Sequence, residues 1–275
     1  MNNNKITEQP SRYRYLEKMT VEEITRYINE EDGIVSGAVK KALPQLNALI
    51  KKAVSQLQSG GRLFYVGAGS GGRLAVLDVI ELPTTYGVRC GLFNVILAGG
   101  VDRLIDALEE KEDDTQEGPQ QLKANAVGPG DIVVGISASG TTPFVLASLE
   151  YCRNHHIPTA CIVSNPGAEI AKYADYPVEV ITGPEFVSGS TRMKCGTAQK
   201  MIFDIISTTT MIQLGHVEDN RMVNVALINE KITDRAVKML MEKGDIKDYE
   251  KAKAILLRFG SVKAALEEQS NNNVQ

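Results

Sequence analysis

Arg62-Leu63-Phe64-Tyr65-Val66-Gly67-Ala68-Gly69-Ser70-Gly71-Gly72 is the stretch from which the fold can be read. Its opening residues form a short apolar run, enough for a buried strand and too short for an ordinary helix. The glycines that follow let the strand turn into a loop. Upstream, Gly60-Gly61 ends a pattern in which Val35, Ala38, Val39, Ala42, Leu46, Leu49, Ile50 and Leu57 recur at helical spacing. Earlier still, Thr20-Val21-Glu22-Glu23 has the capping-box form that opens a helix toward Asn29. The chain before Gly60 is therefore expected to be helical.

Downstream, strand-like runs recur at Phe93 to Leu97, Asp131 to Ile136, Thr159 to Val163 and Val178 to Ile181, with helical stretches between most of them. Short buried strands alternating with helices specify a parallel sheet with right-handed crossovers, covered on both faces. The expected fold class is α/β: a doubly wound parallel sheet of about five strands flanked by helices. After Gly196 the pattern turns wholly helical, through Ala198 to Leu214, Met222 to Leu240 and Tyr249 to Leu266. The expected organisation is a helical segment at 1–59 packing on the core, the α/β domain at 60–215 and C-terminal helices at 216–275, with Ser270 to Gln275 frayed.

Composition narrows the function classes. The chain has 275 residues, 43% hydrophobic and 23% charged, with a formal charge of -4. That sign is wrong for a surface that neutralises phosphodiester backbones, so no nucleic-acid partner is expected. No segment approaches the ~20 apolar residues that span a bilayer, and Met1 to Pro10 lacks a basic stretch followed by an apolar one. A cytoplasmic chain without a membrane partner is expected. Cys90, Cys152, Cys161 and Cys195 are scattered without a C-x-x-C pair, and the histidines are His155, His156 and His216. The cysteines read as small buried hydrophobes, His155 and His156 as a solvated helix end, and a metal site is not expected. Proton transfer would then fall to carboxylates.

Two loops at strand ends carry the chemistry, because ligands of open α/β sheets bind beyond the C-terminal ends of the strands. Gly67 to Arg73 has a G-x-G-x-x-G outline, but no acidic residue ends the next strand near Asn94 to Leu97 to hold a ribose, so a dinucleotide is not expected. Gly135-Ile136-Ser137-Ala138-Ser139-Gly140-Thr141-Thr142 runs hydroxyls and small residues into a helix start. Backbone N–H groups, the helix dipole and the hydroxyls there suit a phosphate monoester; the plainer reading is a Ser/Thr-rich helix cap.

These residues carry a resemblance. Ser137-Ala138-Ser139-Gly140-Thr141 after an apolar strand resembles the phosphosugar loop of the sugar isomerase (SIS) domain superfamily. The chain more specifically resembles the N-acetylmuramic acid 6-phosphate etherases, through Thr7-Glu8-Gln9, Glu30-Glu31-Asp32, Gly72-Arg73-Leu74, Asp78, Glu81, Glu112-Asp113-Asp114 and Gly183-Pro184-Glu185. The longest match is Gly189-Ser190-Thr191-Arg192-Met193-Lys194-Cys195-Gly196-Thr197-Ala198-Gln199-Lys200, followed by Asn220, Met222-Val223, Asn229, Lys231 and Arg235-Ala236.

The resemblance implies hydrolytic removal of D-lactate from the C3 ether of N-acetylmuramic acid 6-phosphate, without metal or nucleotide. The open-chain sugar has an aldehyde that acidifies its C2 proton, so elimination followed by water addition is open to the enzyme. Two carboxyl groups in different protonation states could serve it. By similarity Glu81 takes the acid role and Glu112 the base role. The substrate contacts implied are Gly69, Ser70, Gly71, Ser137, Ser139, Gly140, Thr141, Thr142, Ser190, Thr191 and Lys194. Read from the residues alone, Glu81 is a carboxylate among apolar neighbours, whereas Glu112 sits in a charged run that is normally a solvated loop. A homodimer is expected. So are departures beside the site, at Ser70-Gly71-Gly72, Leu82-Pro83-Thr84-Thr85 and Lys111, and a shorter C-terminal region than the family's. The alternatives are a non-catalytic phosphosugar-binding regulator, since the SIS fold is shared by the glucokinase regulatory protein, and an aldose–ketose isomerase.

Overall fold

The computed structural model describes residues 5–105, 108–227 and 229–272. It divides into two compact units, Met1–Val79 with Gly91–Ser207, and Ile80–Cys90 with Thr208–Gln275. The N-terminal helices fall in one unit with the sheet, and Ile80–Cys90 falls in the other with the C-terminal helices.

The first unit opens with α1 (Val21–Asp32) and α2 (Val35–Gln58). Thr20 caps α1 in a complete capping box: its hydroxyl accepts from Glu23 N–H while Glu23 accepts from Thr20 N–H. β1 (Leu63–Gly67), β2 (Phe93–Leu97), β3 (Ile132–Ser137), β4 (Thr159–Val163) and β5 (Tyr176–Glu179) form one sheet in the order β2-β1-β3-β4-β5, every neighbouring pair parallel. The last strand lies two residues before the expected Val178 to Ile181. It includes Pro177, which an edge strand tolerates because one side of it needs no ladder donor.

Alternation along the strands sends side chains to two faces. Phe64, Val66, Val133, Cys161 and Val163 point to the side covered by α4 (Glu117–Ala124) and α5 (Pro143–Asn154), where they pack with Leu122, Phe144 and Leu149. On the other side the Tyr65 ring packs tilted, at 57°, against Phe203 of α6 (Lys194–Gln213), with centroids 5.0 Å apart. Phe144 and Leu149 are fully buried, and truncating either to Ala should cost about 2–5 kcal/mol. The thiols of Cys152, Cys161 and Cys195 are pushed up by burial to about 12, 12 and 11, as small buried hydrophobes would be; Cys90, against expectation, is exposed. His155 and His156 are exposed at the end of α5, as expected.

Winding runs outward from β1 to β2, then returns past β1 to β3 and continues the other way. The reversal lies between β1 and β3, where an open α/β sheet leaves its crevice. α3 (Gly69–Tyr86) starts there directly from β1. Gly72 permits this turn, since a Cβ on it would lie 2.5 Å from Leu97 Cδ1 and 2.9 Å from the Gly67 carbonyl carbon.

The second unit packs α7 (Glu230–Lys243), α8 (Tyr249–Phe259) and α9 (Val262–Asn272) around Val237, Leu240, Leu256 and Ala265. Asn229 and Asp248 cap α7 and α8 through the N–H groups of Ile232 and Lys251. Two expectations are corrected. Met222, expected to open a helix, ends a hairpin instead, β6 (Val217–Glu218) with β7 (Arg221–Met222), turned by Asp219 at φ 54°, and the helix begins at Glu230. The expected helix from Tyr249 to Leu266 breaks at Gly260, whose φ of 76° ends α8 in a left-handed cap. α9 extends to Asn272, into the tail expected to fray; 273–275 lie outside the described residues. Among the described residues no helix is long and apolar enough to cross a membrane.

Candidate active site

A cleft of about 310 Å³ lies beyond the C-terminal ends of β1 and β3. From β1 and the start of α3 come Ala68, Gly69, Ser70 and Gly71; from β3 and its loop come Ser137, Ala138, Ser139 and Thr142. Glu8, Glu109, Glu112, Gly189, Thr191 and Gln199 close it from other parts of the first unit.

The hydroxyl loop is wired internally. Ser137 Oγ accepts from Gly140 N–H at 3.0 Å and lies 2.7 Å from Thr142 Oγ1 and 3.2 Å from Ser139 Oγ. Ser139 Oγ accepts from Thr141 N–H and lies 3.3 Å from Thr141 Oγ1. Gly140 makes the turn at φ 72°, with a Cβ there placed 2.3 Å from Ala168 Cβ, so no side chain fits. Thr142 is the N-cap of α5, yet its side chain makes no capping bond; its hydroxyl donates instead to Glu112 Oε1 at 3.0 Å. The plainer reading of this loop as a cap does not describe where that hydroxyl goes.

The charged run is a short 3-10 turn, Glu109–Asp113, that turns selected carboxylates toward the cleft. Glu112 is half-buried, while Glu110 and Asp113 face solvent. Glu109 is paired with Arg73 of α3. Asp114 pins the far end of the turn, accepting from Lys111 Nζ and from the N–H groups of Gln116 and Glu117; these bonds bring its carboxyl down to about 2. Glu117 in turn accepts from Gly99 N–H after β2.

The Gly189–Lys200 stretch splits between cleft and frame. Glu185 is buried and accepts from the N–H groups of Lys194 and Cys195 at 2.9 Å each, placing a carboxylate at the positive end of α6. Lys194 is 1% exposed, its ammonium bound to Glu31 of α1, which also takes Arg12 Nε at 3.0 Å and Tyr13 Oη–H at 3.2 Å. Thr191 and Gln199 face the cleft from either side of this frame.

Of the residues singled out in the sequence, the cleft gathers Glu112, Gly69, Ser70, Gly71, Ser137, Ser139, Thr142 and Thr191. Gly140 and Thr141 belong to the same loop without lining the cleft. Ser190 does not line it, and Lys194 does not because its charge is committed to Glu31. Glu81 is exposed on α3, about three turns beyond Gly69, in the second compact unit. The carboxylate buried on that helix is Asp78, which accepts from Ser207 Oγ at 2.8 Å. Glu8, Glu109 and Gln199 line the cleft without having been assigned; Glu8 and Gln199 stood inside the quoted matches, which was the available signal. Among the described residues no three His, Cys, Asp or Glu side chains are grouped to hold a metal ion.

Comparison with known proteins gives family and fold. Residues 45–153 match the glucokinase regulatory protein N-terminal SIS domain, and residues 115–228 the SIS domain. The chain is 49% identical over 269 residues to the N-acetylmuramic acid 6-phosphate etherase of Bacteroides thetaiotaomicron, covering 98% of this chain and 97% of that one. It is also 49% identical over 263 residues to the protein of the same name from Porphyromonas gingivalis, covering 96% of each. The shorter C-terminal region expected is thus not a difference from these two relatives. A phosphoheptose isomerase from Francisella tularensis shares the fold, with TM-score 0.53 and 20% identity over 71% of this chain and 98% of its own.

Proposed function

The chain belongs to the N-acetylmuramic acid 6-phosphate etherase family, and from that membership and the cleft we infer the reaction it performs: cleavage of the D-lactyl ether of N-acetylmuramic acid 6-phosphate to N-acetylglucosamine 6-phosphate and D-lactate. The observation that carries this reading is the continuity of the hydroxyl loop with a carboxylate, Thr142 Oγ1 to Glu112 Oε1 at 3.0 Å, at the sheet's crevice. Phosphate rests on Ser137 and Ser139 of the cleft, with Thr141 Oγ1 3.3 Å from Ser139 Oγ at its edge, ahead of α5, where hydroxyls and the helix dipole favour an anion. That places the sugar beside Glu112.

The chemistry is that of a carbon–oxygen lyase followed by hydration. With the sugar open, Glu112 takes the C2 proton and the electron pair passes to the C1 aldehyde oxygen. Collapse of that enolate expels the lactyl oxygen from C3, which takes a proton from Glu81. Water then adds at C3 of the unsaturated aldehyde, and C2 recovers a proton.

This reading includes a homodimer in which Glu81 of the partner subunit completes the site. In support, Leu77 and Ile80, beside Glu81 on the same face of α3, are 41% and 62% exposed, an apolar surface suited to a second copy. The reaction belongs in the cytoplasm, in amino-sugar recovery from cell wall. Near-full-length identity to proteins named etherases favours catalysis over the regulator reading, for which the matched family spans residues 45–153. Incubation with N-acetylmuramic acid 6-phosphate and enzymatic detection of D-lactate tests it: release supports the etherase, and tight binding without release supports the regulator.

A further inference from the structure

The charge of the cleft does not match a phosphate monoester. Glu8, Glu109 and Glu112 line it, and among the described residues lining it there is no Lys or Arg. Two nearby cations are committed: Arg73 to Glu109, and Lys194 to Glu31 in the interior. Hydroxyls and backbone N–H groups can orient a dianion, but facing carboxylates oppose it unless a positive charge sits close.

One cation does touch the hydroxyl loop. Lys5 Nζ donates to Thr141 Oγ1 at 2.7 Å, from a side chain that is half-buried. Its position is fixed by the residues after it. Thr7 is fully buried; its N–H donates to Asn165 Oδ1 at 3.2 Å and its hydroxyl accepts from Asn165 Nδ2 at 3.0 Å. The same Asn165 Nδ2 donates to the carbonyls of Ala138 and Ser139, inside the hydroxyl loop itself. One amide therefore clasps the N-terminal segment to the loop and sets Lys5 at its edge.

We propose that Lys5 is a substrate-binding residue of this site, supplying the positive charge that recognises the phosphate held by Ser139 and Thr141. The proposal rests on the phosphosugar reading above. It adds Lys5 to a segment whose Glu8 lines the cleft, although Lys5 itself lies just ahead of the Thr7-Glu8-Gln9 match. Bound phosphate takes a hydrogen bond from the ammonium in addition to those of the hydroxyls, and offsets the carboxylates across the cleft.

The test compares Lys5→Met, Lys5→Gln and Lys5→Arg with wild type, in steady-state kinetics and in calorimetric titration with inorganic phosphate. Lys5→Met and Lys5→Gln should each raise KM for N-acetylmuramic acid 6-phosphate about tenfold or more, with kcat within about twofold. Both should weaken phosphate binding in parallel, and Lys5→Arg should recover most of the loss. Gln can still donate to Thr141, so wild-type behaviour in Lys5→Gln would make the role structural and overturn the proposal. Unchanged KM and unchanged phosphate affinity in Lys5→Met would overturn it too. If Ser139→Ala weakens phosphate binding while Lys5→Met does not, the loop reading stands and Lys5 is wrong. If wild type releases no lactate, the etherase reading has failed, and the titration still decides Lys5 because it needs no turnover.

Discussion

Thr142, the N-cap of α5, donates its hydroxyl to Glu112 Oε1 at 3.0 Å, while its side-chain oxygen accepts no capping bond from the first N–H groups of its own helix. The last hydroxyl of the proposed phosphate loop thereby orients the proposed base. Thr142→Val removes that donor while nearly conserving volume. Loss of a hydrogen bond to a charged group is worth roughly 1.5–3 kcal/mol, so kcat should fall about tenfold or more with KM little changed. A KM effect without a kcat effect would assign Thr142 to phosphate binding and leave Glu112 oriented by other means.

Ser139→Ala and Thr141→Val touch the other end of the loop, remote from the reacting carbons. Each should raise KM about tenfold with a smaller effect on turnover at saturation. Initial-rate measurements on both variants check this, and unchanged KM in both would move the phosphate elsewhere.

Glu81 and Glu112 make a prediction about assembly. Each of Glu81→Gln and Glu112→Gln should lose lactate release by about 10²- to 10⁴-fold. If their carboxylates meet across a symmetric dimer, mixing and reassociating the two inactive variants should regenerate one intact site per mixed dimer, restoring about a quarter of wild-type activity. No recovery after demonstrated subunit exchange would place both groups in one chain or remove Glu81 from the mechanism.

Stability should respond to a pair at the opposite end of the sheet. Asp131, before β3, receives Arg62 Nε at 3.1 Å and Nη2 at 2.8 Å, together with Arg62 N–H and Gly128 N–H. Burial opposes ionisation of this carboxyl, but the bonds from Arg62 and Gly128 outweigh it and hold the group below its ordinary 3.8. A lowered folded value means that stability is gained above the unfolded value and lost as pH falls through the folded one. Asp131→Asn should therefore lower the unfolding free energy at neutral pH by about 1–3 kcal/mol without changing KM. Its deficit against wild type should shrink below about pH 3.8, as followed by urea unfolding across pH. A deficit constant down to the acid limit would mean that charge is not what the pair contributes.

How far the sequence led depended on how local each signal was. β1 and β3 announce themselves as apolar runs, and the loops after them as glycine and hydroxyl clusters, so fold and crevice followed from short windows. Lys194 misled because its partner Glu31 lies 163 residues away, and only packing reveals that the charge is spent in the interior. Glu81 misled in the opposite sense: apolar neighbours suggested burial, but the helical period turns Asp78 and Leu82 inward and leaves Ile80 and Glu81 outside. Lys5 carried no signal, since its meaning comes from Asn165, far along the chain. The hairpin at 217–222 was too short for any period to register.

The central claim is that the ether leaves by elimination from a C2 carbanion, with water added back. Mass spectrometry and NMR of the N-acetylglucosamine 6-phosphate formed in D₂O and in H₂¹⁸O test it most directly. The account predicts deuterium at C2 and ¹⁸O in the C3 hydroxyl, with Glu112→Gln losing deuterium exchange and lactate release together and Glu81→Gln retaining exchange. Product carrying ¹⁸O at C3 with protium retained at C2, and no internal return of the abstracted proton, would contradict it in favour of direct displacement.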